Sequence, residues 1–330
     1  MLWDVEFNSG AFYPAATDVR LAEIAEERGF DAVWKGESNS TDPLVLLSGM
    51  ASRTRRIKLG TAIYHIYGRS PVTLGIQAAT LNDLSDGRVL LGLGVANRAI
   101  ASWHQGSFDR PLGRIREYVD VVRSVARGEK VDYPGEIYPV HGFKLSWRPA
   151  HPELRVYYAG LGTQMTRLAG KIANGIIMNM ANPAKIREIV ANVRAGATGA
   201  GRDPNSIDVC VKVRVAMHRD REVARRKLKQ VLTFYNLADH YKDMVAGMGF
   251  AEGSAAIRAA YATGGFKAAA AAVPDEMLAG LPTIAATSVD EVRERIGPYA
   301  EAGATRLIIP FVPCGDDPGS EAERFLRAWR

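Results

Sequence analysis

The sequence of residues 60–97, GTAIYHIYGRSPVTLGIQAATLNDLSDGRVLLGLGVAN, constrains the fold more than any other part of the chain. An apolar run from Ile57 to Ile63 predicts a strand, and Pro71 begins a helix whose apolar residues recur at helical spacing. Asp86-Gly87 ends that helix, and Arg88 to Val95 predicts a second buried strand. Two strands joined through a helix form a parallel βαβ unit, in which ligands bind at the carboxyl ends of the strands.

The same alternation of apolar runs and amphipathic helices continues along the chain. Strands are predicted at Leu2–Asn8, Asp31–Lys35, Ile57–Ile63, Arg88–Val95, Leu154–Ala159, Gly175–Met180, Ile207–Ala216 and Thr305–Phe311. Helices are predicted at Asp18–Arg28, Pro43–Ser52, Pro71–Leu84, Leu112–Ala126, Thr163–Ala173, Pro183–Thr198, Glu222–Asn236 and Val289–Ala302. Eight such units indicate a closed α/β barrel, a (β/α)8 TIM barrel, in a single domain of residues 1–330. An open doubly wound sheet is the alternative, but the even alternation favours closure.

Two segments do not fit the repeat. Residues 129–153 are rich in Pro, Gly and aromatic residues, which predicts a loop with a short hairpin. Residues 238–284 contain good helix formers, so we expect a helical insertion between the seventh and eighth units. Insertions that follow barrel strands lie on the active-site face, and this one could cover a substrate.

The composition excludes several functions. Lys and Arg number 42 against 36 for Asp and Glu, a net charge of +6 that is spread along the chain and does not indicate nucleic-acid binding. Neither a membrane span nor a signal peptide is visible, and the two cysteines lie far apart, so we expect a reduced, cytoplasmic protein. The six histidines have no metal-ligand spacing, so no metal is expected.

Polar residues follow three of the predicted strands. Glu6 lies near the end of the first strand, Glu37 follows the second and Asn97 follows the fourth. In a barrel these three residues would converge on one rim, where a partly desolvated carboxylate can donate or accept a proton. Each alone is more often a solvated loop residue, but their shared placement favours a catalytic role. The same rim loops contain Tyr64, His65, Trp103 and His104.

The turn Gly160-Leu161-Gly162-Thr163 links a predicted strand to a predicted helix. Glycine lets an anion approach the backbone, and the free N–H groups at a helix start favour phosphate. An ordinary strand-to-helix turn explains the same residues equally well. The dinucleotide motif GxGxxG is absent at both Gly-Leu-Gly sites, because Asn97 and Met165 stand where the third glycine should be.

These motifs together resemble the luciferase-like family of flavin and deazaflavin enzymes. The shared sequence motifs are distributed over nearly the whole chain: VEF at the start, GRSP, LNDLSDGRVLLGLG, GLGT, AGKIANGIIMNMANP, and AGATRLIIP near the end. Within that family the chain is most similar to the branch of methylene-tetrahydromethanopterin reductases, which use coenzyme F-420.

The resemblance implies a deazaflavin bound at the carboxyl rim of a TIM barrel, and a homodimer. It implies a non-prolyl cis peptide between Ala62 and Ile63 that backs the ring, and a carboxylate, Glu6, near the reacting ring. It places the cofactor phosphate at Gly160–Thr163. The implied cofactor contacts are Glu37, Ala62, Ile63, Val95, Asn97, Gly160, Leu161, Gly162, Thr163 and Asn179.

The chain departs from the family pattern in two places. The common Asp-His after the second strand is Glu37-Ser38, and the common acidic residue after the fourth strand is Asn97. These differences argue against the sugar-phosphate dehydrogenase branch and leave the small-molecule substrate open.

Three functions remain to be distinguished. The first is hydride transfer between F-420 and a small organic electrophile, for which Arg69, Arg98 and Arg110 offer a basic rim. The second is an FMN-dependent monooxygenase, and the third is a non-catalytic flavin-binding protein.

Overall fold

The computed structural model describes residues 1–8, 12–37 and 39–329. Ser38, which belongs to one of the departures from the family pattern, lies outside these residues. The strands of the described part are β1 (Leu2–Glu6), β2 (Ala32–Lys35), β3 (Lys58–Thr61), β4 (Tyr64–His65), β5 (Val89–Gly94), β6 (Val131–Tyr133), β7 (Val140–Phe143), β8 (Arg155–Ala159), β9 (Gly175–Met178), β10 (Asp208–Lys212), β11 (Arg214–Met217), β12 (Thr283–Ala286) and β13 (Arg306–Pro310).

Eight of these strands close into a parallel barrel, as predicted. The order around the barrel is β1, β2, β3, β5, β8, β9, β10 and β13, and β13 returns to β1. Closure between the two ends of the chain pairs Leu2 with Arg306 and Glu6 with Pro310. The first polar residue of the predicted rim therefore stands where the carboxyl ends of β1 and β13 meet.

Helices surround the barrel. They are α1 (Ala15–Glu27), α2 (Pro43–Arg53), α3 (Pro71–Leu84), α4 (Arg98–Trp103), α5 (Pro111–Ala126), α6 (Thr163–Ile172), α7 (Pro183–Thr198), α8 (Arg221–Asn236), α9 (Asp239–Val245), α10 (Ala251–Ala271), α11 (Asp275–Gly280), α12 (Val289–Arg295), α13 (Gly297–Glu301) and α14 (Pro318–Ala328). Both α3 and α7 have the predicted bounds, because each begins with a capping residue and a proline. Ser70 Oγ accepts from the Thr73 N–H at 3.1 Å, and Asn182 Oδ1 accepts from the Lys185 N–H at 2.9 Å. No described helix has both the length and the apolar character needed to cross a bilayer.

The predicted seventh strand, Ile207–Ala216, is two strands. The first, β10, pairs with β13 inside the barrel, and the second, β11, pairs with β12 beyond it. Val213 separates them and donates its N–H to the Ile308 carbonyl at 2.9 Å. The sequence analysis missed β12, because Thr283 and Ile284 lie in a segment that was predicted to be helical.

The two irregular segments contain a hairpin and a group of helices. The antiparallel hairpin of β6 and β7 occupies the first. The second contains α9, α10 and α11, joined by a π-helical turn at Ala246–Phe250. Two helices were not predicted, namely the short α4 after β5 and the C-terminal α14.

Side chains fill the interior of the barrel. Trp34 and Tyr157 meet edge-on inside it, with ring centroids 5.6 Å apart. Gly60 makes room for the indole, since a Cβ there would lie 2.3 Å from Trp34 Cε3. The barrel is therefore a packed core with its ligand surface confined to the rims.

Candidate active site

Glu6 at the end of β1 forms a buried ion pair with Lys212 at the end of β10. Lys212 Nζ lies 2.9 Å from both carboxylate oxygens and donates to Oε1. It also donates to the Ala62 carbonyl at 2.5 Å. Glu6 Oε2 is buried, and the Lys212 ammonium is its one close polar neighbour in the described chain, without an aligned hydrogen bond. The ion pair therefore holds the carboxylate in place at the rim.

The Ala62–Ile63 peptide bond is cis, which confirms the prediction from the family resemblance. It follows β3, and the Glu37 N–H donates to the Ile63 carbonyl at 2.8 Å. Gly92 on β5 allows this backbone to approach, because a Cβ there would lie 1.9 Å from the Thr61 carbonyl oxygen. The peptide therefore stands at the centre of the carboxyl rim, in contact with Lys212.

Glu37 is the centre of a second polar cluster at the rim. Its Oε1 accepts from Arg69 Nη1 at 2.9 Å, and its Oε2 accepts from the His65 N–H at 3.0 Å. Arg69 also donates to Asp42 at 2.5 Å and lies 4.5 Å above the Tyr64 ring. Burial raises the pKa of Glu37, although Arg69 and the His65 N–H act against that shift. Arg69 is thus engaged by two carboxylates, those of Glu37 and Asp42.

His65 is buried and held in one orientation. Its Nδ1 accepts from the N–H groups of Tyr67 and Gly68 at 3.3 and 3.2 Å, which assigns the ring proton of the neutral form to Nε2. Nε2 lies 3.2 Å from Glu37 Oε2, and the His104 ring centroid is 4.4 Å away. Burial, with His104 and Arg69 nearby, lowers the pKa of His65 to about 4.

This depressed pKa predicts how stability depends on pH. An unfolded histidine titrates near pH 6.5, so the unfolded chain binds a proton that folded His65 excludes down to about pH 4. The contribution of His65 is therefore complete above pH 6.5 and is lost as the pH falls from 6.5 to 4. We expect His65→Asn, whose Oδ1 can replace Nδ1 as the acceptor, to have a shallower loss of unfolding free energy over this range. Urea unfolding at pH 7.5 and 4.5 measures it, and equal losses in the parent and the variant would contradict the prediction.

Asn97 caps a helix in this structure. Its Oδ1 accepts from the Ile100 N–H at 3.0 Å, which begins α4. Val95 and Ala96 lead into this cap from β5, and Ala96 has a left-handed φ of 45°. The catalytic role of Asn97 stays a prediction. In the structure its side chain caps α4 and so supports the backbone of the rim.

The turn at Gly160–Thr163 leads from β8 into α6 and is open to solvent at its tip. Gly162 is the N-cap residue and offers no side chain to the first-turn amides. No heavy atom lies within 4 Å of the position a Gly162 Cβ would take, whereas a Gly160 Cβ would collide with Met165. The helix start is therefore uncapped and accessible, as an anion site requires.

Asn179 follows β9 and faces the insertion. Its Nδ2 donates to the Tyr241 hydroxyl on α9, while its buried Oδ1 has no partner in the described chain. The Tyr241 ring packs edge-on against Tyr235 of α8 with centroids 4.9 Å apart. The insertion thus supplies Tyr241 to the rim beside Asn179, and α8 supplies Tyr235 behind it.

Two clefts of about 420 Å³ lie at the other end of the barrel. In the first, Arg123 and Arg202 donate to carbonyls that end α6, those of Ile172, Gly170 and Ala173. These arginines satisfy the carbonyl groups at the C-terminal end of α6, which is a structural role.

The sequence analysis missed Lys212 and Tyr241. Lys212 stands in the strand sequence VCVKVRV, and a lysine within a buried apolar strand was the available signal. Tyr241 had no signal of this kind, because its place at the rim depends on how the insertion folds back. Arg110, proposed for the basic rim, is exposed and pairs with Glu136. Glu6 and Glu37 are linked through the Ala62–Ile63 peptide, because Lys212 donates to the Ala62 carbonyl and the Glu37 N–H donates to the Ile63 carbonyl.

The fold is that of a TIM-barrel protein, and the candidate site lies at the carboxyl ends of its strands, where proteins of this fold bind ligands. The chain matches the model of the Luciferase-like monooxygenase family over residues 7–306 and belongs to that family.

Curated relatives and a solved structure show which proteins of known activity the chain is similar to. The chain is 29% identical over 301 residues to a 5,10-methylenetetrahydromethanopterin reductase from Archaeoglobus fulgidus, with 89% of each chain covered. It is 27% identical to an F-420-dependent glucose-6-phosphate dehydrogenase from Nocardia farcinica, with 93% of this chain and 90% of the relative covered. The structure of the coenzyme F-420-dependent tetrahydromethanopterin reductase from Methanopyrus kandleri superposes with a TM-score of 0.87 at 25% identity, covering 99% of this chain and 97% of that one.

Proposed function

We propose that the protein is an oxidoreductase that transfers a hydride between coenzyme F-420 and a small organic substrate, in the manner of a reductase. The observation that carries the proposal is the Glu6–Lys212 pair beside the Ala62 carbonyl at the rim, on a chain that is similar to an F-420-dependent dehydrogenase and to an F-420-dependent reductase. The coenzyme supplies the hydride chemistry, and the protein supplies binding, orientation and a proton.

The residues present fit such a cofactor. The uncapped start of α6 at Gly162 has free amides for a phosphate. Asn179 Oδ1 is a buried acceptor without a donor in the described chain, and Glu6 Oε2 has the Lys212 ammonium beside it but no aligned hydrogen bond. A bound ring or substrate with N–H or O–H groups would donate to them. Residues Gly160–Thr163 would hold the phosphate, and Ala62–Ile63 would back the ring.

The Glu6–Lys212 pair can handle the proton that accompanies the hydride. The Lys212 ammonium holds a proton 2.9 Å from the Glu6 carboxylate. Lys212 can pass this proton to Glu6, which then donates it to the substrate, so that the pair is left as a Lys212 amine and a Glu6 carboxylate until solvent returns one proton. Glu37 is the second carboxylate of the rim, but it accepts from Arg69 and His65, which leaves it less available.

Cofactor preference tests the proposal directly. We expect the apoprotein to bind F-420 with a micromolar or lower dissociation constant and FMN more weakly. Separate fluorescence titrations of the two cofactors measure this. Equal affinities, or tighter binding of FMN, would replace the proposal with the FMN-dependent monooxygenase.

The phosphate turn offers a second test. We expect Gly162→Val to weaken F-420 binding at least about tenfold, because the new side chain would stand where the phosphate approaches the α6 amides. The backbone at Gly162, with φ −80° and ψ 147°, accepts valine, so the variant should fold. Gly297→Val is the matched control, since its Cβ also meets no atom within 4 Å and it lies at α13 outside the rim. Unchanged F-420 affinity in folded Gly162→Val would assign the turn a structural role only.

We also propose that the protein is a homodimer of single-barrel subunits and works in the cytoplasm. Light scattering of the purified protein tests the dimer.

A further inference from the structure

Four cationic side chains of the described chain are buried, with at most 8% of each residue exposed: Lys35, Lys212, Arg214 and Arg306. Three of them face a buried carboxylate, with Lys35 3.3 Å from Asp18, Lys212 2.9 Å from Glu6 and Arg306 2.9 Å from Asp4. Arg214 has no carboxylate oxygen within 4.0 Å among the residues that the structure describes. The buried charges are therefore balanced except at Arg214.

The neighbours of Arg214 are neutral. Nη2 donates to the Tyr235 hydroxyl at 2.5 Å, and Nη1 lies 3.5 Å from Met180 Sδ. The guanidinium carbon lies 4.4 Å from the Tyr235 ring centroid. These contacts orient the guanidinium but do not neutralise it, and a buried unpaired charge is costly. An anion that binds there would remove that cost.

Arg214 adjoins the candidate active site. It stands two residues after Lys212, on β11 above the barrel rim, so its side chain lies closer to the insertion. Its partner Tyr235 packs on Tyr241, which accepts from Asn179 beside an unpartnered buried oxygen. Arg214 is therefore linked to the rim through Tyr235, Tyr241 and Asn179.

We propose that Arg214, oriented by Tyr235, binds an oxyanion of the substrate, and that the substrate is therefore anionic. A guanidinium presents a planar set of donors that matches a carboxylate or phosphate. The inference rests on the proposed function, in which the cofactor phosphate is held at a different strand end, after β8.

Two pairs of small probes test it without turnover: benzoate with benzamide, and acetate with acetamide. Each pair keeps the shape of the molecule and changes its charge. We expect the apoprotein to bind the anion of at least one pair about tenfold or more tightly than the amide in calorimetric titrations. We expect Arg214→Met to lose that preference, Arg214→Lys to retain part of it, and the surface control Arg221→Met to keep it. Tyr235→Phe should weaken it, because the hydroxyl no longer fixes the guanidinium.

The free energy of unfolding of Arg214→Met distinguishes a ligand-binding role of Arg214 from a structural role. We expect ligand-free Arg214→Met to be as stable as the parent or more so, because a buried charge without a partner has been removed. A variant that fails to fold or is strongly destabilised would show that Arg214 serves the fold, and would overturn the proposal. No preference for either anion in the parent would overturn it as well.

The same titrations separate substrate from cofactor. With F-420 bound, benzoate or acetate should still bind if the subsite belongs to the substrate. Competition by F-420, with weaker F-420 binding to Arg214→Met, would assign the cation to the cofactor and overturn the substrate assignment. Failure of the parent to bind F-420 contradicts the proposed function alone, because the apoprotein titrations do not depend on it.

Discussion

Glu6→Gln is expected to lower turnover about 100-fold or more while F-420 affinity changes little. The amide keeps the shape of the side chain but cannot exchange a proton, and general acid–base groups contribute 10²–10⁴-fold. The phosphate end of the cofactor is held elsewhere, after β8, so binding should be preserved. A panel of imines, enones and reduced-folate analogues first identifies an accepted substrate, and steady-state rates on it then measure the effect.

Stability must be separated from chemistry in this experiment. Glu6→Gln leaves the Lys212 ammonium with the Ala62 carbonyl and an amide, and breaking a buried ion pair is destabilising. The double variant Glu6→Gln/Lys212→Met removes both charges, so it should recover stability without recovering turnover. Parent-rate turnover by Glu6→Gln would show that Glu6 is not the acid, and Glu37 would be tested next.

Arg306→Met is expected to lower the unfolding free energy by about 3–5 kcal/mol, the usual cost of removing one partner of a buried ion pair. Arg306 is 1% exposed and bonds both oxygens of Asp4 at 2.9 Å, with a further contact to Asp31. Asp4 Oδ2 also accepts from Trp34 Nε1 at 2.8 Å. The substitution leaves the Asp4 carboxylate buried without a cation at the seam between β1 and β13. Urea unfolding at pH 8 measures the loss.

The pH dependence of the lost unfolding free energy shows whether the unpaired Asp4 carboxylate is its cause. Burial already raises the pKa of Asp4 to about 6 with Arg306 present, and removing the cation raises it further. Folded Asp4 then keeps its proton at pH 5 while an unfolded aspartate is ionised, so the deficit should be smaller at pH 5 than at pH 8. Arg327→Met is the control, because its pair with Glu323 is on the surface and should contribute under about 1 kcal/mol. A deficit below that size in Arg306→Met would contradict the role of the pair.

The sequence predicted the barrel because its signals are local. Ser70-Pro71 and Asn182-Pro183 determine where α3 and α7 begin, and buried strands between such helices leave few alternatives. The cis peptide and the proximity of Glu6 to Ala62 were predicted from the sequence motifs shared with the family and from barrel geometry. The failures concern long-range pairing. The separation of β10 from β11 depends on β12, which lies 66 residues further along the chain from Met217 to Thr283. Local patterns carry no information on such a contact.

The same reason explains which site residues were missed. A lysine in a strand can point to solvent or to a partner, and Lys212 could be placed only once Glu6 was known to lie 2.9 Å away. Tyr241 and Arg214 are linked through Tyr235 of α8, and this arrangement depends on the path of the insertion over the rim. The chemistry of the rim therefore depends on contacts between residues that are distant in sequence.

The pairing of β11 with β12 has a consequence for how this protein can be diversified. The segment between them leaves β11 at Met217 and returns at Thr283, where β12 runs parallel to β11 and is hydrogen-bonded to it. Its two ends are thus fixed on neighbouring strands, and lengthening a loop whose ends are already fixed costs little, about 0.6 kcal/mol for each doubling of its length. The helices between these strands can be exchanged or resized as a cassette while the eight barrel strands keep their register. Selection of libraries confined to residues 221–280 would therefore change which molecules enter the site without rebuilding the part that handles the cofactor.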